Sequence, residues 1–484
     1  MRKRFDQQFQ IGQTPISEIE INTRSKNPLD QLMVALQEIF CNTEYNEKIF
    51  SVMEKYMSKV DKNNGRPGMN LWTIFVLGQV RLCLDLDYDM LHNLSNNHLT
   101  LRKLLGICDM PGLESIEFEY QNIYDNLSKL SDAMLIEIND IIVEFGHKKV
   151  FKKKETTPLQ LKTDSFVVES NVHFPTDYNL LWDSARKSLD IMRYFLIKYS
   201  SIDGWRKINN WRSELKSQLR EIGRISKSGG KNKEDKMKKA VEQYLSKSRL
   251  LESKLLEQKK ILPITTEADV KNWYQLEYYI QMLSKHIDLL DRRIIKGETI
   301  PHSEKLMSIF EIYTEWIVKG KTQPPVELGK MLSITTDQYN LVLFHIVMNE
   351  KKDKDIVIET ADNMLSKYKN IDSMSFDKGH WNKLNKELLE LYIPNVILPK
   401  LGKLTIQEEE NESSSTFKRL KNKHSAIESN INELEHRGLN RCPDRSYLHF
   451  KTYIAMGICA YNLKKIGKKI LEERLKELQH KVAA

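Results

Sequence analysis

Three acidic residues in this chain have neighbours that favour a shared, functional carboxylate site. Asp164 lies inside the apolar and β-branched segment LKTDSFVVESNV, and a buried strand rarely carries a charge. Asp377 directly follows the β-rich segment IDSMSF and precedes a Lys-Gly pair, at which a chain can turn closely. Glu428 lies in a helical segment whose neighbours one turn away, His424 and Asn432, are both polar. The order strand Asp, strand-end Asp and helix Glu therefore predicts one acidic site.

A site of this kind needs a cation. Three converging carboxylates repel each other unless positive charge lies between them, and hard divalent ions such as Mg²⁺ prefer oxygen ligands. Two such ions can activate water or a 3′-hydroxyl and stabilise the leaving oxygen in phosphodiester chemistry. We therefore expect Asp164, Asp377 and Glu428 to be ligands of Mg²⁺ or Mn²⁺, bound as two ions. The carboxylates that compete with these three are Glu169, Glu433 and Glu435.

The elements before Asp164 are predicted to be helical. Residues 28–150 carry apolar residues at three- and four-residue spacing, which predicts an all-helical N-terminal domain. It follows a polar segment, 1–27, that we expect to be a flexible arm. Strand character appears only after a basic linker, and we assign residues 158–186 to the first part of a catalytic core.

The rest of the chain predicts a mixed core that a helical segment interrupts. Residues 187–322 are helical and highly charged, with leucines that favour a coiled-coil-like helical insertion. Residues 323–475 predict a second core part, of order β–β–α–β–α–β–α, that begins with a hairpin and includes a polar loop over 407–416. Residues 476–484 are a charged tail. The predicted fold class is thus multidomain α + α/β.

Charge and cysteine usage narrow the class of protein. The formal charge of +9 favours a polyanionic partner, and between Lys216 and Lys260 fourteen Lys/Arg stand against six Asp/Glu. Either that segment is a solvated helix face or it contacts nucleic acid. The five cysteines are far apart, which argues against a disulfide framework or a cysteine zinc site. No secretory signal or long apolar run is visible, so we expect a cytoplasmic protein without a membrane partner.

Several segments around these residues resemble one family. TDSFVVESNVHFPTDYNLLWDSAR (163–186) is similar to the first-Asp block of bacterial insertion-sequence DDE transposases, and SFDKGHW (375–381) to their second-Asp block. HSAIESNINELEHRGLNRC (424–442) is similar to their Glu block, and YIAMGICAYNLKKIG (453–467) to their closing helix. Residues 65–106 resemble their helical N-terminal domain, which implies that residues 28–150 form a DNA-binding domain for the terminal inverted repeats. The ISNCY-type transposases are the group that the chain resembles most.

The resemblance implies an RNase H-like catalytic fold with Asp164, Asp377 and Glu428 as the catalytic, metal-binding triad. It implies metal-dependent cleavage of double-stranded DNA at the terminal inverted repeats of an insertion sequence, followed by strand transfer into target DNA. A homodimer on DNA, associated with the bacterial nucleoid, is the expected working form. The alternative is a catalytically silent, DNA-binding derivative of such a transposase.

The DNA contacts follow from the same resemblance. The family's second-Asp block has Asp-Arg-Gly where this chain has Asp-Lys-Gly, and a basic residue stands about two turns after the family's Glu. In this chain Glu435 occupies that neighbourhood, and His436 follows it. Some of the candidates could either contact the scissile DNA or be ordinary surface residues. The candidate DNA-binding residues are Lys378, Lys418, Arg419, Lys421, Lys423, His424, Asn432 and Arg437.

Overall fold

The computed structural model divides the chain into two compact units. One unit contains residues 1–171 and 315–484, and the other contains residues 172–314. The second unit covers most of the segment 187–322 that we expected to be a helical insertion, but it begins earlier and ends earlier. The described residues are 3–5, 13–57, 68–107, 116–230, 232–318 and 325–483. Parts of the segments discussed above, including 1–2 and 6–12 of the predicted arm, lie outside these ranges.

The described part before the first strand is helical, as predicted. Its most apolar helix, α3, is buried at every one of its positions. The described end of the predicted arm is held in place, because Ile16 and Ile19 are buried and their carbonyls accept hydrogen bonds from Gln37. The helices are α1 (Pro28–Cys41), α2 (Thr43–Met57), α3 (Leu71–Cys83), α4 (Tyr88–Asn97), α5 (Leu99–Leu104), α6 (Tyr120–Leu127) and α7 (Asp132–Phe145).

One mixed sheet forms the centre of this unit. Its strand order is β2-β3-β1-β5-β6, and β4 and β7 pair with β3 and β1. The strand β1 is antiparallel to β3 and parallel to β5, so the sheet has an antiparallel and a parallel part that share β1. The strands are β1 (Leu159–Ser170), β2 (Glu315–Ile317), β3 (Glu327–Thr336), β4 (Val342–Val347), β5 (Ile371–Phe376), β6 (Asn395–Ile397) and β7 (Arg441–Cys442).

Two glycines allow the close packing around this sheet. A Cβ at Gly329 in β3 would lie 2.0 Å from the Val168 carbonyl oxygen of β1, so a larger residue would separate the two strands. A Cβ at Gly467 would lie 1.7 Å from the Gln31 carbonyl oxygen of α1. This glycine lies in the long helix α17 (Tyr447–Ala483), which packs on α1, α3 and α7. The N-terminal helices and the sheet are therefore parts of one compact unit.

The helices after the hairpin complete this unit, and one of them corrects an expectation. The predicted hairpin is confirmed as β3 and β4. The predicted loop over 407–416 is wrong, because most of it is helix α14. Thr405 and Glu408 form a capping box there, which stabilises the start of a helix that lacks a periodic apolar pattern. The helices are α12 (Val357–Lys367), α13 (Lys383–Glu390), α14 (Ile406–Ser413), α15 (Ser415–His424) and α16 (Ala426–Leu434).

The second unit consists of four helices with one apolar core. The helices α9 and α10 are joined by a short connection and pack on each other. The helices α8 and α11 also pack on each other, and residues such as Leu189, Leu245 and Leu283 share the core. The bounds are α8 (Asp177–Lys198), α9 (Ile208–Lys227), α10 (Lys233–Lys259) and α11 (Glu267–Leu290).

The fold class of the described residues is mixed α/β, with helices in the majority and a seven-stranded mixed sheet. This agrees with the predicted α + α/β organisation. In the described ranges, every helix is too short or too polar to span a lipid bilayer.

Candidate active site

Asp164 and Asp377 occupy matching positions on neighbouring strands. The last paired residues of β1 and β5 are Thr163 and Phe376, and each aspartate follows one of them. Neighbouring strands lie about 4.8 Å apart, and residues in register on parallel strands point to the same face of a sheet. The two carboxylates that sequence reasoning selected, 213 positions apart in the chain, are therefore brought together.

The two aspartates differ in how they are held. Asp164 is half-buried, and its Oδ1 accepts a hydrogen bond from the backbone N–H of Ser165 at 2.7 Å. Asp377 is exposed where the chain leaves β5, and its carbonyl accepts from the N–H of His380 at 3.1 Å. The first carboxylate is thus fixed on a central strand, and the second lies at a strand end that solvent reaches.

The sheet opens beside these residues. One edge of β1 pairs with β5 up to Thr163 and with β7 only from Glu169 onward. The residues between them, 164–168, therefore have neither β5 nor β7 alongside at that edge. A crevice at the carboxyl end of a strand is where ligands bind in open α/β sheets. Asp164 and Asp377 lie at such an opening.

Glu428 lies on a helix above the same face of the sheet. It is exposed in the first turn of α16. In the last turn of α15, one helical turn before it, His424 contacts Ser375 of β5, with 3.0 Å between Nδ1 and Oγ. Two residues after it, Asn430 donates to Asn340, which also accepts from Lys162 of β1. Ser375 and Lys162 are paired positions of the face that carries Asp164. The helix that carries Glu428 therefore packs over the face of the sheet that carries Asp164.

The three acidic side chains are not gathered into a finished metal site. Within the ranges that the structure describes, no group of three or more His, Cys, Asp or Glu side chains has the arrangement of a metal-binding cluster. The adjacent carboxylates of Asp164 and Asp377 have the oxygen chemistry that Mg²⁺ prefers. Glu428 would have to turn its flexible side chain toward them to complete the set.

The competing carboxylates are placed differently. Glu433 pairs with Lys464 and Lys465, and although burial raises the pKa of Glu433, these lysines hold it below its ordinary value. Glu169 lies an odd number of residues after the first aspartate on an unbroken strand, so it points to the opposite face. Glu435 is half-buried in a turn of π-helix after α16. Glu169 thus lies on the other face of β1 from Asp164, and Glu433 is engaged in ion pairs with two lysines.

His424 is a neutral imidazole at the edge of this site. Burial lowers the pKa of His424 to about 4, against the opposing charge of Asp377. Its Nδ1 contacts Ser375, and its Nε2 is buried with no hydrogen-bond partner among the described residues. Sequence reasoning listed this histidine as a DNA contact. In the structure it is a second helix residue, besides Glu428, near the acidic pair.

Sequence reasoning missed Lys162, which lies two residues before Asp164 and so on the same face. Its side chain is buried and its Nζ donates to Asn340 at 3.1 Å. Burial lowers the pKa of Lys162, while the charge of Asp337 acts in the opposite direction. The strand period of two would have identified this residue, because it relates Lys162 to Asp164 as directly as it relates Asp164 to Phe166.

It also missed a polar group under the opposite face. Asp353 accepts a hydrogen bond from the Ser165 hydroxyl, with 2.5 Å between the oxygens. His380 is buried near it, and both ring nitrogens lack hydrogen-bond partners within the described chain. Burial lowers the pKa of His380, and the charges of Asp353 and Asp377 oppose this. No sequence pattern points to Asp353, because its contact joins residues 188 positions apart.

The basic residues of α15 form an exposed patch. Lys418, Arg419 and Lys421 are exposed on this helix, whose Phe417 and Leu420 are buried. Lys423 is exposed too, and its Nζ donates to Gln160 of β1 at 3.1 Å, while Lys378 is exposed directly after Asp377. These five lysine and arginine side chains have the exposure that contact with a phosphate backbone requires.

The last two predicted DNA contacts, Asn432 and Arg437, lie in different surroundings. Asn432 is exposed, and its backbone carbonyl contacts His436 Nδ1 at 2.8 Å. Arg437 is half-buried, and its Nη1 donates to the carbonyl of Cys83 at 3.3 Å. Arg437 therefore links the segment after α16 to the end of α3, and its guanidinium is engaged inside the protein.

The arrangement as a whole combines two adjacent carboxylates, a third on a covering helix, neutral imidazole and a nearby basic surface. Comparisons of the chain with protein-family models, with curated proteins and with solved structures give no match.

Proposed function

We propose that this protein is a DDE transposase that cleaves double-stranded DNA at the ends of an insertion sequence and joins the freed ends to target DNA. The observation that carries the proposal is the position of Asp164 and Asp377, each one residue beyond the last pair of two parallel strands. A sheet whose antiparallel and parallel parts share the Asp164 strand supports the assignment of an RNase H-like core.

In this proposal Asp164, Asp377 and Glu428 bind divalent metal. Metal ions there would activate water or a 3′-hydroxyl and stabilise the leaving oxygen. The protein's own contribution is positional. The strand β1 holds Asp164 beside β3, the end of β5 holds Asp377 next to it, and α16 carries Glu428 over the same face. Binding of Mg²⁺ or Mn²⁺ would offset the repulsion between these carboxylates.

The DNA backbone would be bound by the basic patch of α15 together with Lys378. Contacts from lysine and arginine to phosphates position a protein on DNA without reading sequence. The patch and the acidic pair belong to the same unit, and His424 connects them because it ends α15 and contacts Ser375 of β5. The path proposed for the scissile strand therefore runs from α15 to the end of β5.

The direct test uses purified protein, Mg²⁺ or Mn²⁺, and DNA taken from the two flanks of the gene. We expect nicks at fixed positions near the element's ends, and a loss of this activity in Asp164→Asn, Asp377→Asn and Glu428→Gln. The matched control is Glu435→Gln on the segment after α16, which should retain activity. Full activity in either aspartate variant would overturn the site.

The same experiment separates the second candidate, a silent DNA-binding derivative. That protein would bind the flanking DNA in a salt-dependent way but would not cut it with either metal. The observation that favours this candidate is that Glu428 does not form a three-residue metal-binding group with Asp164 and Asp377 in the described structure. Binding without cleavage, in a preparation that is folded, would favour the derivative over the active enzyme.

A further inference from the structure

The helix α13 presents an apolar face that nothing in the described structure covers. Leu384, Leu388, Leu391 and Tyr392 are 61%, 38%, 71% and 71% exposed. Their spacing of four, three and one residues places them on one side of a helix and the turn after it. Leu389, on the other side, is buried. Scattered exposed leucines are ordinary, but a contiguous exposed stripe marks an interaction surface.

The charges of α13 run against its own dipole. Lys383 stands in the first turn and Glu390 in the last, whereas a helix is stabilised by acidic residues at its start and basic residues at its end. The ion pairs within the helix, Lys383 with Glu387 at 3.8 Å and Lys386 with Glu390 at 3.7 Å, also have the less favourable order, with lysine first. The pattern is therefore unexplained within a single copy.

A second copy of the same helix, running antiparallel, would explain both features. The start of one helix would then lie beside the end of the other, so that Lys383 of each copy faces Glu390 of the other. The leucine stripes would pack between these two ion pairs. A two-fold axis makes such a contact self-complementary, because one surface serves both partners. We propose that α13 is a self-association surface, with a second copy of this chain as its partner.

The segment after β6 carries further exposed apolar side chains. Lys400 Nζ lies 5.7 Å from the centre of the Trp381 ring, so this segment begins close to the start of α13. Leu401, Leu404 and Ile406 follow and are 57%, 38% and 80% exposed. The proposal rests on exposure and charge order alone and does not depend on the proposed function.

The test uses two charge variants of the full chain. Lys383→Glu places two acidic ends together in the proposed pair, and Glu390→Lys places two basic ends together. Each variant alone should self-associate about tenfold more weakly than the wild type, measured by sedimentation velocity across a concentration series. An equimolar mixture should form a heterodimer with affinity close to wild type, because both ion pairs are then restored. Arg224→Glu, on the exposed side of α9, is the control and should change nothing.

A second variant addresses the apolar stripe. Leu391→Asp should abolish self-association at low and high salt, while circular dichroism and the melting temperature stay at wild-type values because the Leu391 side chain is 71% exposed. A wild type that stays monomeric across the series would overturn the proposal. Charge variants that associate as the wild type does, or a mixture that fails to recover, would overturn the antiparallel pairing. Failure of the cleavage assay would leave this result unaffected.

Discussion

Asp444 and Asp377 belong to the same unit, but only Asp444 forms an ion pair with a basic side chain of the described residues. Asp444 is held by both terminal nitrogens of Arg81, at 2.7 and 3.0 Å, and that guanidinium is itself buried. Asp377 is exposed, and no lysine or arginine of the described residues forms an ion pair with it. The first carboxylate is neutralised by the fold. The second has no such partner among the described residues.

The helical unit also contains a carboxylate that is neutralised by partners within the chain, and this one is fully buried. Asp269 is buried at the start of α11, where it accepts from Lys198 at 2.7 Å and from the Tyr199 hydroxyl at 2.6 Å. Although desolvation alone would raise the pKa of Asp269, these donors hold it far below its ordinary value. A carboxylate that serves folding thus has its partners within the chain, and that difference marks Asp377 as a candidate ligand.

The largest expected effect separates activity from stability at Asp377. Asp377→Asn should reduce metal-dependent DNA cleavage by at least about 100-fold, the scale of losing one electrostatic contact in an active site. Its melting temperature should stay at the wild-type value or rise, because a repelling charge is removed. Asp372→Asn, on the same strand, is the matched control for activity. Wild-type cleavage by the Asp377 variant would contradict the proposal that Asp377 is a metal ligand.

Asp444→Asn should lower the stability of the protein and leave its activity unchanged. It leaves the guanidinium of Arg81 buried without its counter-charge, and breaking a buried ion pair costs about 3–5 kcal/mol of unfolding free energy. Because Asp444 is partly exposed, we expect the lower end of this range in urea denaturation. Cleavage per folded molecule should not change. An unfolding free energy equal to that of the wild type would show that the pair is not structural.

His345 on β4 extends the comparison to a half-buried histidine whose pKa is lowered by the fold. Burial lowers the pKa of His345 to about 4, from 6.5 in an unfolded chain. The folded state therefore binds fewer protons between these values, so stability should fall as pH drops from 6.5 toward 4. One such group contributes up to about 1.4 kcal/mol per pH unit. His345→Leu should flatten the pH dependence measured by urea denaturation, and an unchanged slope would contradict the assignment.

The smallest effects are expected on the exposed basic patch. Lys421→Ala and Lys423→Ala should each weaken DNA binding a few-fold, equally on all sequences. Each should also reduce the slope of log K against log salt by about one. Fluorescence anisotropy at several salt concentrations measures both. Slopes identical to the wild type would place the DNA elsewhere, with the basic segment of α10 as the next candidate.

Local patterns predicted the part of the fold that positions the acidic pair. The strands β1 and β5 follow from β-branched residues and their flanking turns, and the match of Asp164 with Asp377 follows once the two strands are parallel neighbours. The helix α14 was missed because its start is fixed by a capping box rather than by apolar residues. Lys162 was within reach of the same strand period and was overlooked.

The remaining site features depend on contacts between distant parts of the chain. Asp353 bonds Ser165 across 188 positions, and Arg437 bonds the Cys83 carbonyl across 354. Neither position has a local signal, because the partner is set by how the helices and the sheet pack. The burial of His424 and His380 is of the same kind.

The insertion of the helical unit between β1 and β3 has a consequence for synthesis. The strand β1 ends at Ser170 and its antiparallel partner begins at Glu327, so roughly 160 residues are translated between them. At about 5–20 residues per second this takes roughly 8–30 s. During that interval β1 is part of the nascent chain, but its antiparallel partner β3 has not yet been synthesised. The four helices of the second unit have their own core, so they can fold before β3 is synthesised. Correct folding of the nascent chain then requires that β1 does not pair with a strand of another chain in the meantime.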